Sequence, residues 1–335
     1  MAYCQLKSNF LNVAAALFFD LPEACTALPL RFGAYPSISE QIHLKNPIHP
    51  FFNFRHIAMS AKPKTSIETP SLVVRPISVG AVNWIGISTL YVKEVMRFLK
   101  VPVQTLFGPA MTATLFMMVF AVAVGERISL GNFDNFIQFL APGLIMMAVL
   151  QNAFANTSSS LTSAKVQGNI VDLLMPPLGP NEIICALLGG TVTRGVLTAL
   201  ICVVTFSLFS AIIMPPHFLI ACGFLIAGSL AMGFAGIIAG IWARKFDQLS
   251  AITSFVIQPL AFLSGTFYSV HRLPEPFDLI AQINPVFMVI DGFRYGMTGV
   301  ADGNILVSAA VLTILNILLF ICCYIILATG FRLKS

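Results

Sequence analysis

The sequence predicts an all-α integral membrane protein with six transmembrane helices, an N-terminal amphipathic interfacial helix and an external re-entrant segment between spans five and six. Three observations lead to this fold class. Hydrophobic residues make up 57% of the 335 residues and charged residues only 10%, whereas an ordinary soluble domain carries roughly 25% charge. Six apolar runs approach or exceed the length that crosses a bilayer. Basic residues are concentrated in alternate segments between these runs.

Residues 1–78 differ from the rest because they mix short apolar runs with His, Pro and scattered charges. The apolar run 11–21 is too short to span a membrane, and Asp20 interrupts it. A signal or transit peptide is an alternative, although no small-residue cleavage site follows a basic segment. Met59 opens a polar stretch that is typical of an N-terminus. We therefore predict a disordered or mis-assigned extension over 1–78, with Met59 as a candidate start, and a transmembrane domain over 79–335.

Residues 81–100 have the pattern of an amphipathic helix at about 100° per residue. Aromatic and aliphatic side chains fall on one side, and basic side chains fall on the other. The apolar side holds Trp84, Ile87, Tyr91, Val95 and Phe98, and the basic side holds Lys93, Arg97 and Lys100. Such a helix lies flat on an anionic membrane surface, which predicts contact with membrane lipid. The alternative, a surface helix of a soluble domain, is disfavoured because a span follows at once.

The six predicted spans are residues 101–125, 136–155, 183–214, 218–242, 249–263 and 305–331. The first is uncharged for 25 residues, or about 37 Å as a helix, which is enough to cross a bilayer with tilt. The third carries Arg194, and the short fifth contains Gln258 followed by Pro259. In the fourth, Gly236 and Gly240 are four residues apart, a spacing that indicates close helix packing or, alternatively, a hinge.

The basic residues predict the orientation of the chain. With the N-terminus in the cytoplasm, eight Lys or Arg residues lie inside and three outside. The inner set is Lys93, Arg97, Lys100, Lys165, Arg244, Lys245, Arg332 and Lys334, and the outer set is Arg127, Arg272 and Arg294. An even number of spans then returns the C-terminus to the cytoplasm.

Two predicted loops are longer than simple connectors. In the cytoplasmic loop 156–182, Gly168 and the pair Pro176-Pro177 bracket a short amphipathic helix. This helix is either a docking element for a cytoplasmic partner or a plain loop helix. The external loop 265–304 is apolar enough to dip into the membrane, with short helices expected at 277–283 and 285–295. Irregular backbone at that depth needs protein or water around it.

The sequence argues against several kinds of chemistry. A nucleotide-binding loop needs a Gly-Lys pair, and the chain contains none. The six predicted spans contain no Asp or Glu, which argues against ion-coupled transport and intramembrane hydrolysis. The five His are scattered and the seven Cys form no C-x-x-C pair, so no metal site is predicted. The net charge of +5 follows the membrane topology and does not indicate nucleic-acid binding.

Arg194 is the single formal charge within the predicted spans, about eleven residues into its apolar run. One interpretation is a pathway-facing group that meets an anionic substrate or a lipid phosphate. The alternative is an arginine that pairs with another helix or extends its guanidinium to the membrane surface.

The external segment carries an ordered set of short motifs. It reads Gln258-Pro259, Ser264-Gly265, Leu273-Pro274, Asn284-Pro285 and Asp291-x-x-Arg294. Together with the amphipathic helix, the six spans and the Gly-to-Pro-Pro-to-Glu loop, this order resembles the ABC-2 type transporter permease family over about residues 80–335. The resemblance implies the membrane subunit of an ATP-binding cassette exporter rather than an enzyme.

The resemblance also implies partners and sites. Two permease copies would form the pathway as a homodimer in the plasma (inner) membrane of a bacterium. Separate cytoplasmic ATPase subunits would bind ATP and Mg, which leaves this chain without a cofactor. The coupling-helix candidates are Gly168, Asp172, Leu173, Leu174, Pro176 and Glu182. The pathway candidates are Arg194, Gln258, Ser264, Gly265, Asp291 and Arg294.

The substrate class follows from the family and from the apolar walls of the spans. Family members export drugs, polysaccharides, glycolipids and other lipid-linked cargo. Because the predicted spans offer few polar points, a hydrophobic, lipid-linked or drug-like substrate is favoured. A secondary carrier or a channel for a small solute is the alternative.

Overall fold

The computed structural model describes residues 82–124, 136–207, 215–268 and 283–330, and every regular element in these ranges is helical. The helices are α1 (Trp84–Leu99), α2 (Gly108–Val124), α3 (Phe136–Val166), α4 (Ile170–Leu174), α5 (Pro180–Ser207), α6 (Phe218–Trp242), α7 (Phe246–Ile252), α8 (Gln258–Phe262), α9 (Pro285–Thr298) and α10 (Ile305–Thr329). A π-helical turn, Val103–Phe107, precedes α2, and a second, Thr253–Ile257, joins α7 to α8.

Several sequence predictions fall on residues outside these ranges. They are the extension 1–78, the Leu273-Pro274 motif, most of the expected helix 277–283, and the basic residues Arg127, Arg272, Arg332 and Lys334.

Five helices in the described ranges are long and apolar enough to cross a membrane. They are α2 with its π turn, α3, α5, α6 and α10. The predicted fifth span corresponds to α7, the second π turn and α8, consecutive stretches of 7, 5 and 5 residues. At 1.5 Å per residue this continuous helix is only about 25 Å long, against a hydrocarbon core of about 30 Å. The integral membrane, helical fold is confirmed, whereas the described residues hold five candidate spans by length and composition rather than six.

The predicted end of the second span at residue 155 is wrong, because α3 continues to Val166. Polar residues after position 155 resemble a loop in sequence, yet Asn156, Thr157 and Thr162 are fully buried. The Thr157 hydroxyl donates to the Gly233 carbonyl of α6 at 2.8 Å. Interhelical hydrogen bonds of this kind satisfy polar groups inside the bundle, so the helix continues.

α3 is the centre of the bundle and is buried along most of its length. It packs most extensively on α6, where glycines bring the two backbones together. A Cβ atom on Gly236 would lie 2.6 Å from the Phe154 carbonyl oxygen, and one on Gly240 would lie 3.1 Å from the Ser158 carbonyl oxygen. The close-packing interpretation of the Gly236/Gly240 spacing agrees with this geometry.

The helices define two ends of the bundle. At the α1 end, Leu90 and Ile170 share a buried cluster with Leu327 near the end of α10. At the same end, the Lys165 ammonium donates to the carbonyls of Ile241 and Ala243, which close α6. The opposite end, called the α9 end, holds the turn that follows α8. The α7–α8 helix therefore runs from the α1 end toward the α9 end, and Leu260 of α8 lies at the level where α9 begins.

α9 lies antiparallel to α6 and begins inside the bundle. Val289 contacts the position of Gly228, and farther along α9 Gly296 meets Ala221 near the start of α6. Gly228 is ten residues into α6, which corresponds to about 15 Å along the helix axis. α9 thus begins inside the bundle and ends near the start of α6, at the α9 end.

Candidate coupling and pathway sites

The start of α1 is anchored to the start of α5. The Asn83 carboxamide oxygen caps α1 by accepting from the Gly86 amide at 2.9 Å. The Asn83 amide donates to Glu182 Oε1 at 2.7 Å, and Glu182 Oε2 accepts from the Gly179 amide at 2.7 Å. Glu182, a coupling-helix candidate, therefore holds α1 against the loop that follows α4. Its carboxylate is also favourable in the first turn of α5, near the positive end of the helix dipole.

One face of α1 packs on the bundle. Its buried side chains are Leu90, Glu94 and Phe98, while Trp84 is 73% exposed. Lys93 and Lys100 are exposed as the helical pattern predicts, and Tyr91 is half-buried. The Tyr91 hydroxyl hydrogen-bonds with the Thr193 hydroxyl of α5 at 2.9 Å.

Arg97 was predicted to share the outer basic face of α1, and this placement is wrong. Its guanidinium turns toward α3, donating to Glu94 Oε2 at 3.1 Å and to the Ser159 hydroxyl at 3.1 Å. It also donates to the carbonyl and side-chain oxygens of Asn156, at 2.7 and 3.0 Å. The guanidinium turns inward because Glu94, three residues earlier on the helix, offers a carboxylate and because α3 offers polar acceptors.

Glu94 was not selected from the sequence, although its exposed fraction is only 2%. Its Oε1 accepts from the Ser160 hydroxyl at 2.7 Å, so the carboxylate is held between α1 and α3. An acidic residue three positions before Arg97 was the available signal. Glu94 therefore places a buried carboxylate in the bundle, on α1 and not on one of the five long apolar helices.

Arg194 is 94% buried, and it joins three elements. Its guanidinium donates to Asn152 Oδ1 at 2.6 Å and Asn156 Oδ1 at 3.3 Å, both on α3, and to the Thr105 carbonyl of the first π turn at 3.3 Å. The carbon atom of the guanidinium lies 6.0 Å from the centre of the Phe98 ring. This geometry corresponds to the alternative in which Arg194 pairs with neighbouring helices.

The loop between α3 and α5 has an inner and an outer face. Gly168 ends α3 with a φ of +74°, a left-handed conformation that glycine adopts without strain. On α4, Ile170 and Leu173 are buried, whereas Val171 is 52% exposed and Met175, just after Leu174, is 77% exposed. Asp172 and Pro176 are also exposed. The exposed face of α4 is called the α4 face below.

At the α9 end, Arg294 fixes the turn that follows α8. Gly265 has a φ of +68°, and its carbonyl accepts from Arg294 Nη2 at 2.8 Å. The guanidinium carbon lies 3.8 Å above the centre of the Phe139 ring, a cation–π arrangement. A Cβ on Gly143 would approach the Thr266 carbonyl oxygen to 3.0 Å, so the absence of a side chain there lets the turn pack closely on α3.

Asn284, at the start of α9, and Asp291, in its middle, attach the helix to neighbouring segments. Asn284 Oδ1 caps the helix by accepting from the Val286 amide at 2.9 Å, and its Nδ2 donates to the Leu260 carbonyl at 3.1 Å. The buried Asp291 carboxylate accepts from the amides of Asp302 and Gly303, at 2.8 and 2.9 Å. Arg294 Nη1 is 4.0 Å from Asp291 and 3.9 Å from Asp302. The motif residues therefore bind the segment to α8 and to the start of α10.

The structure separates the six pathway candidates into three places. Ser264, Gly265, Asp291 and Arg294 lie together, buried, at the α9 end, with the Ser264 hydroxyl donating to the Ala261 carbonyl. Gln258 is exposed on α8, and Arg194 belongs to the α1-end network. Among the described residues, no group of three or more His, Cys, Asp or Glu side chains has the geometry of a metal site.

Comparison with known proteins places these features in one family. The family model described as ABC-2 type transporter matches residues 86–298, from α1 through α9. The Inner membrane transport permease YadH of Escherichia coli K12 is 34% identical over 252 residues, covering 75% of this chain and 98% of YadH. The YadH protein of Shigella flexneri gives the same values. Nodulation protein J of Rhizobium leguminosarum bv. viciae is 22% identical over 254 residues, covering 74% of this chain and 95% of that protein. The chain belongs to the ABC-2 type transporter family and is a multi-pass membrane permease component of an ABC transporter.

Proposed function

We propose that this chain is the transmembrane subunit of an ATP-binding cassette exporter that moves a hydrophobic, lipid-linked or drug-like substrate outward. The observation that carries the proposal is the family match over residues 86–298, which includes α1, the α4 loop and the α9 end. The relative YadH is named an inner membrane transport permease, and we assign this chain to the same membrane. The mostly apolar spans support a hydrophobic cargo.

The energy for transport comes from a separate cytoplasmic ATPase, which binds ATP and Mg. The α4 face supports this assignment, because Val171 and Met175 expose apolar side chains beside the acidic Asp172 at one end of the bundle. A short helix with one buried and one exposed face is suited to fit a groove on a partner. No cofactor is assigned to this chain itself.

The α7–α8 helix is the sixth crossing, and α9 is a re-entrant helix. The direction of α7–α8, from the α1 end toward the α9 end, supports the crossing, despite its length of about 25 Å. The start of α9 inside the bundle supports the re-entrant assignment, since its backbone is enclosed by protein. The bonds of Asn284 and Arg294 with Leu260 and Gly265 hold it there.

The α1 end faces the cytoplasm, with both termini on that side. Lys93, Lys100, Lys165, Arg244 and Lys245 all lie at or near this end. Basic residues are enriched on the cytoplasmic side of membrane proteins. Trp84 and the two exposed lysines of α1 are suited to contact lipid head groups, which supports α1 as the interfacial helix.

The permease works as a homodimer. Large apolar side chains are exposed on α2 and along α7–α8, including Met111, Leu115, Phe255 and Phe262. Within a bilayer such surfaces are covered by lipid or by a second copy, and the family resemblance favours a second copy around a shared pathway. The buried residues of the α9 end then support the outer part of that pathway.

Reconstitution with the cognate ATPase tests this function. The purified permease is placed in liposomes with and without an ATPase that carries a Walker A loop, and export of a fluorescent lipid and a hydrophobic dye is measured. We expect transport only with ATP and the ATPase, and none when the Walker A lysine is replaced. Transport by the permease alone without ATP would contradict the exporter and support a carrier or channel.

A further inference from the structure

We infer that Asn156 is a positioning residue that transmits movement of α1 to the start of the first span, through Arg97 on one side and Arg194 on the other. The inference rests on the proposed function, because the movement it transmits is the one that the ATPase drives.

The first step is the attachment of α1 to the coupling loop. The Asn83 amide is 2.7 Å from Glu182 Oε1, and its side-chain amide donates to the Pro177 carbonyl at 3.4 Å. Gly86 packs so closely that a Cβ there would lie 2.5 Å from Leu178 Cδ2. A displacement of the loop between α4 and α5 therefore moves the start of α1 as well.

The second step joins the far end of α1 to α3. Arg97 donates to Glu94, to Ser159 and twice to Asn156, so that all three of its nitrogen groups are used. Glu94 is itself bonded to Ser160. These charge-assisted bonds are buried or half-buried, where they are stronger than in water. The end of α1 thus follows α3 at the level of Asn156.

The third step is the sharing of a single oxygen by two arginines. Asn156 Oδ1 accepts from Arg97 Nη2 at 3.0 Å and from Arg194 Nη1 at 3.3 Å, while its Nδ2 donates to the Thr191 hydroxyl at 3.1 Å. Two positive charges meet at a neutral amide, and Glu94 forms its ion pair with Arg97. A movement of either guanidinium that carries the Asn156 side chain with it changes the bond to the other guanidinium.

The fourth step connects Arg194 to the first span. Its Nη2 group donates to the Thr105 carbonyl in the π turn Val103–Phe107, and the Thr105 hydroxyl donates to the Phe98 carbonyl at 2.9 Å. Short π-helical segments inside longer helices recur at functional sites. Arg194 therefore holds the point at which α1 passes into α2, and Asn156 positions Arg194 together with Asn152, which accepts from its Nη2 group at 2.6 Å.

Among the ion pairs of the described residues, Arg194 has no carboxylate partner, and its Nε atom has no hydrogen-bond partner. A buried cation held only by neutral oxygens is more weakly fixed than one in an ion pair. This weak fixation allows Arg194 to change partners when α1 moves, as a relay between two states requires.

A spin-label experiment on the complete permease–ATPase complex tests the inference without a known substrate. In a cysteine-free background, labels are placed at Val103→Cys in the π turn and Leu200→Cys on α5, which are 72% and 56% exposed. The distance between them is measured with and without ATP, Mg and vanadate, alongside the ATP hydrolysis rate. We expect an ATP-dependent change of distance in the parent chain and its loss in Asn156→Leu.

Asn316→Leu is the matched control, since Asn316 on α10 donates to the Ala227 carbonyl of α6 at 3.2 Å but lies outside the network. It should retain the distance change. Arg194→Met combined with Asn156→Leu removes the unpaired cation, so we expect this double variant to regain thermal stability without regaining the distance change. Coupling between such sites is worth about 5- to 150-fold in an equilibrium.

The outcomes separate the two proposals. If the parent complex hydrolyses no ATP, or no ATPase binds, the exporter function fails. If the parent complex responds to ATP and Asn156→Leu responds equally, the transmitting role of Asn156 is overturned. It is also overturned if the double variant recovers both stability and the distance change, because that result would mean purely structural support.

Discussion

Arg194 and Arg294 show two ways in which a bundle accommodates a buried guanidinium. Arg294 has two carboxylates about 4 Å away, an aromatic ring beneath it and a carbonyl acceptor. Arg194 has only neutral oxygens and a distant ring. Removing one partner of a buried charge is costly because the other is left unpaired. Arg294 is therefore the more firmly held of the two, which agrees with the inference that Arg194 changes partners when α1 moves.

Gly143 gives a prediction at the scale of one residue. A Cβ there would meet the Thr266 carbonyl at 3.0 Å and Arg294 Nη2 at 3.3 Å. Gly143→Ala should destabilise the protein by about 1–3 kcal/mol, because Thr266 and Arg294 are both buried and Arg294 is bonded to the Gly265 carbonyl. Thermal unfolding in detergent measures the effect.

Gly223→Ala is the control for that variant. Gly223 also lies within a long helix, α6, but a Cβ there has no heavy atom within 4 Å. Alanine should be neutral or stabilising by about 0.5–1 kcal/mol at such a position. Equal melting temperatures for the two variants would contradict the close contact beneath the Ser264–Thr266 turn.

At the scale of the helix, hydrophobic periodicity in the sequence predicts where a helix begins and ends, but not which polar groups of different helices pair. The bounds of α6 agree with the predicted 218–242, because an unbroken apolar run lies between a proline-rich turn and basic residues. The end of α3 and the direction of Arg97 were predicted wrongly for one reason. Both depend on hydrogen bonds to residues on other helices, such as Gly233 and Asn156, and the sequence does not indicate which polar groups will meet.

In the candidate sites too, residues in ordered motifs were found from the sequence, whereas residues that depend on contacts between distant helices were not. The ordered motifs at the α9 end identified residues that do lie together, namely Ser264, Gly265, Asp291 and Arg294. Glu94 was missed because its burial results from packing against Ser160, a contact 66 residues away in sequence. Glu182 was assigned to the coupling helix, yet its contacts show that it also anchors α1.

The α4 face gives a prediction at the scale of an element. Met175→Asp places a charge on the most exposed apolar residue of this face, so binding of the ATPase should weaken about tenfold or more. Co-purification and titration of ATPase activity measure the change. Leu219→Asp, at an 83% exposed position near the start of α6 at the α9 end, should leave binding unchanged. A similar loss in both variants would exclude α4 as the docking element.

At the scale of the whole molecule, the direction of α7–α8 determines the topology. With six crossings and the N-terminus inside, Met175 and Thr329 lie on the cytoplasmic side, and Leu219 and Leu306 lie outside. Single cysteines at these four exposed positions, in a cysteine-free background, should react with a membrane-impermeant maleimide in that pattern. Labelling of Met175→Cys and Thr329→Cys from opposite sides would contradict six crossings.

The polar residues of α3 have a consequence for how the protein is made. Asn156 Nδ2 and the Thr157 hydroxyl are buried donors, and their acceptors, the Thr191 hydroxyl and the Gly233 carbonyl, belong to α5 and α6, which follow later in the chain. Since membrane chains are synthesised from the N-terminus, α3 must enter the bilayer with these groups still unsatisfied. We expect α3 to be retained beside the insertion machinery until α5 and α6 emerge, so that biogenesis of this protein proceeds by co-insertion of three helices.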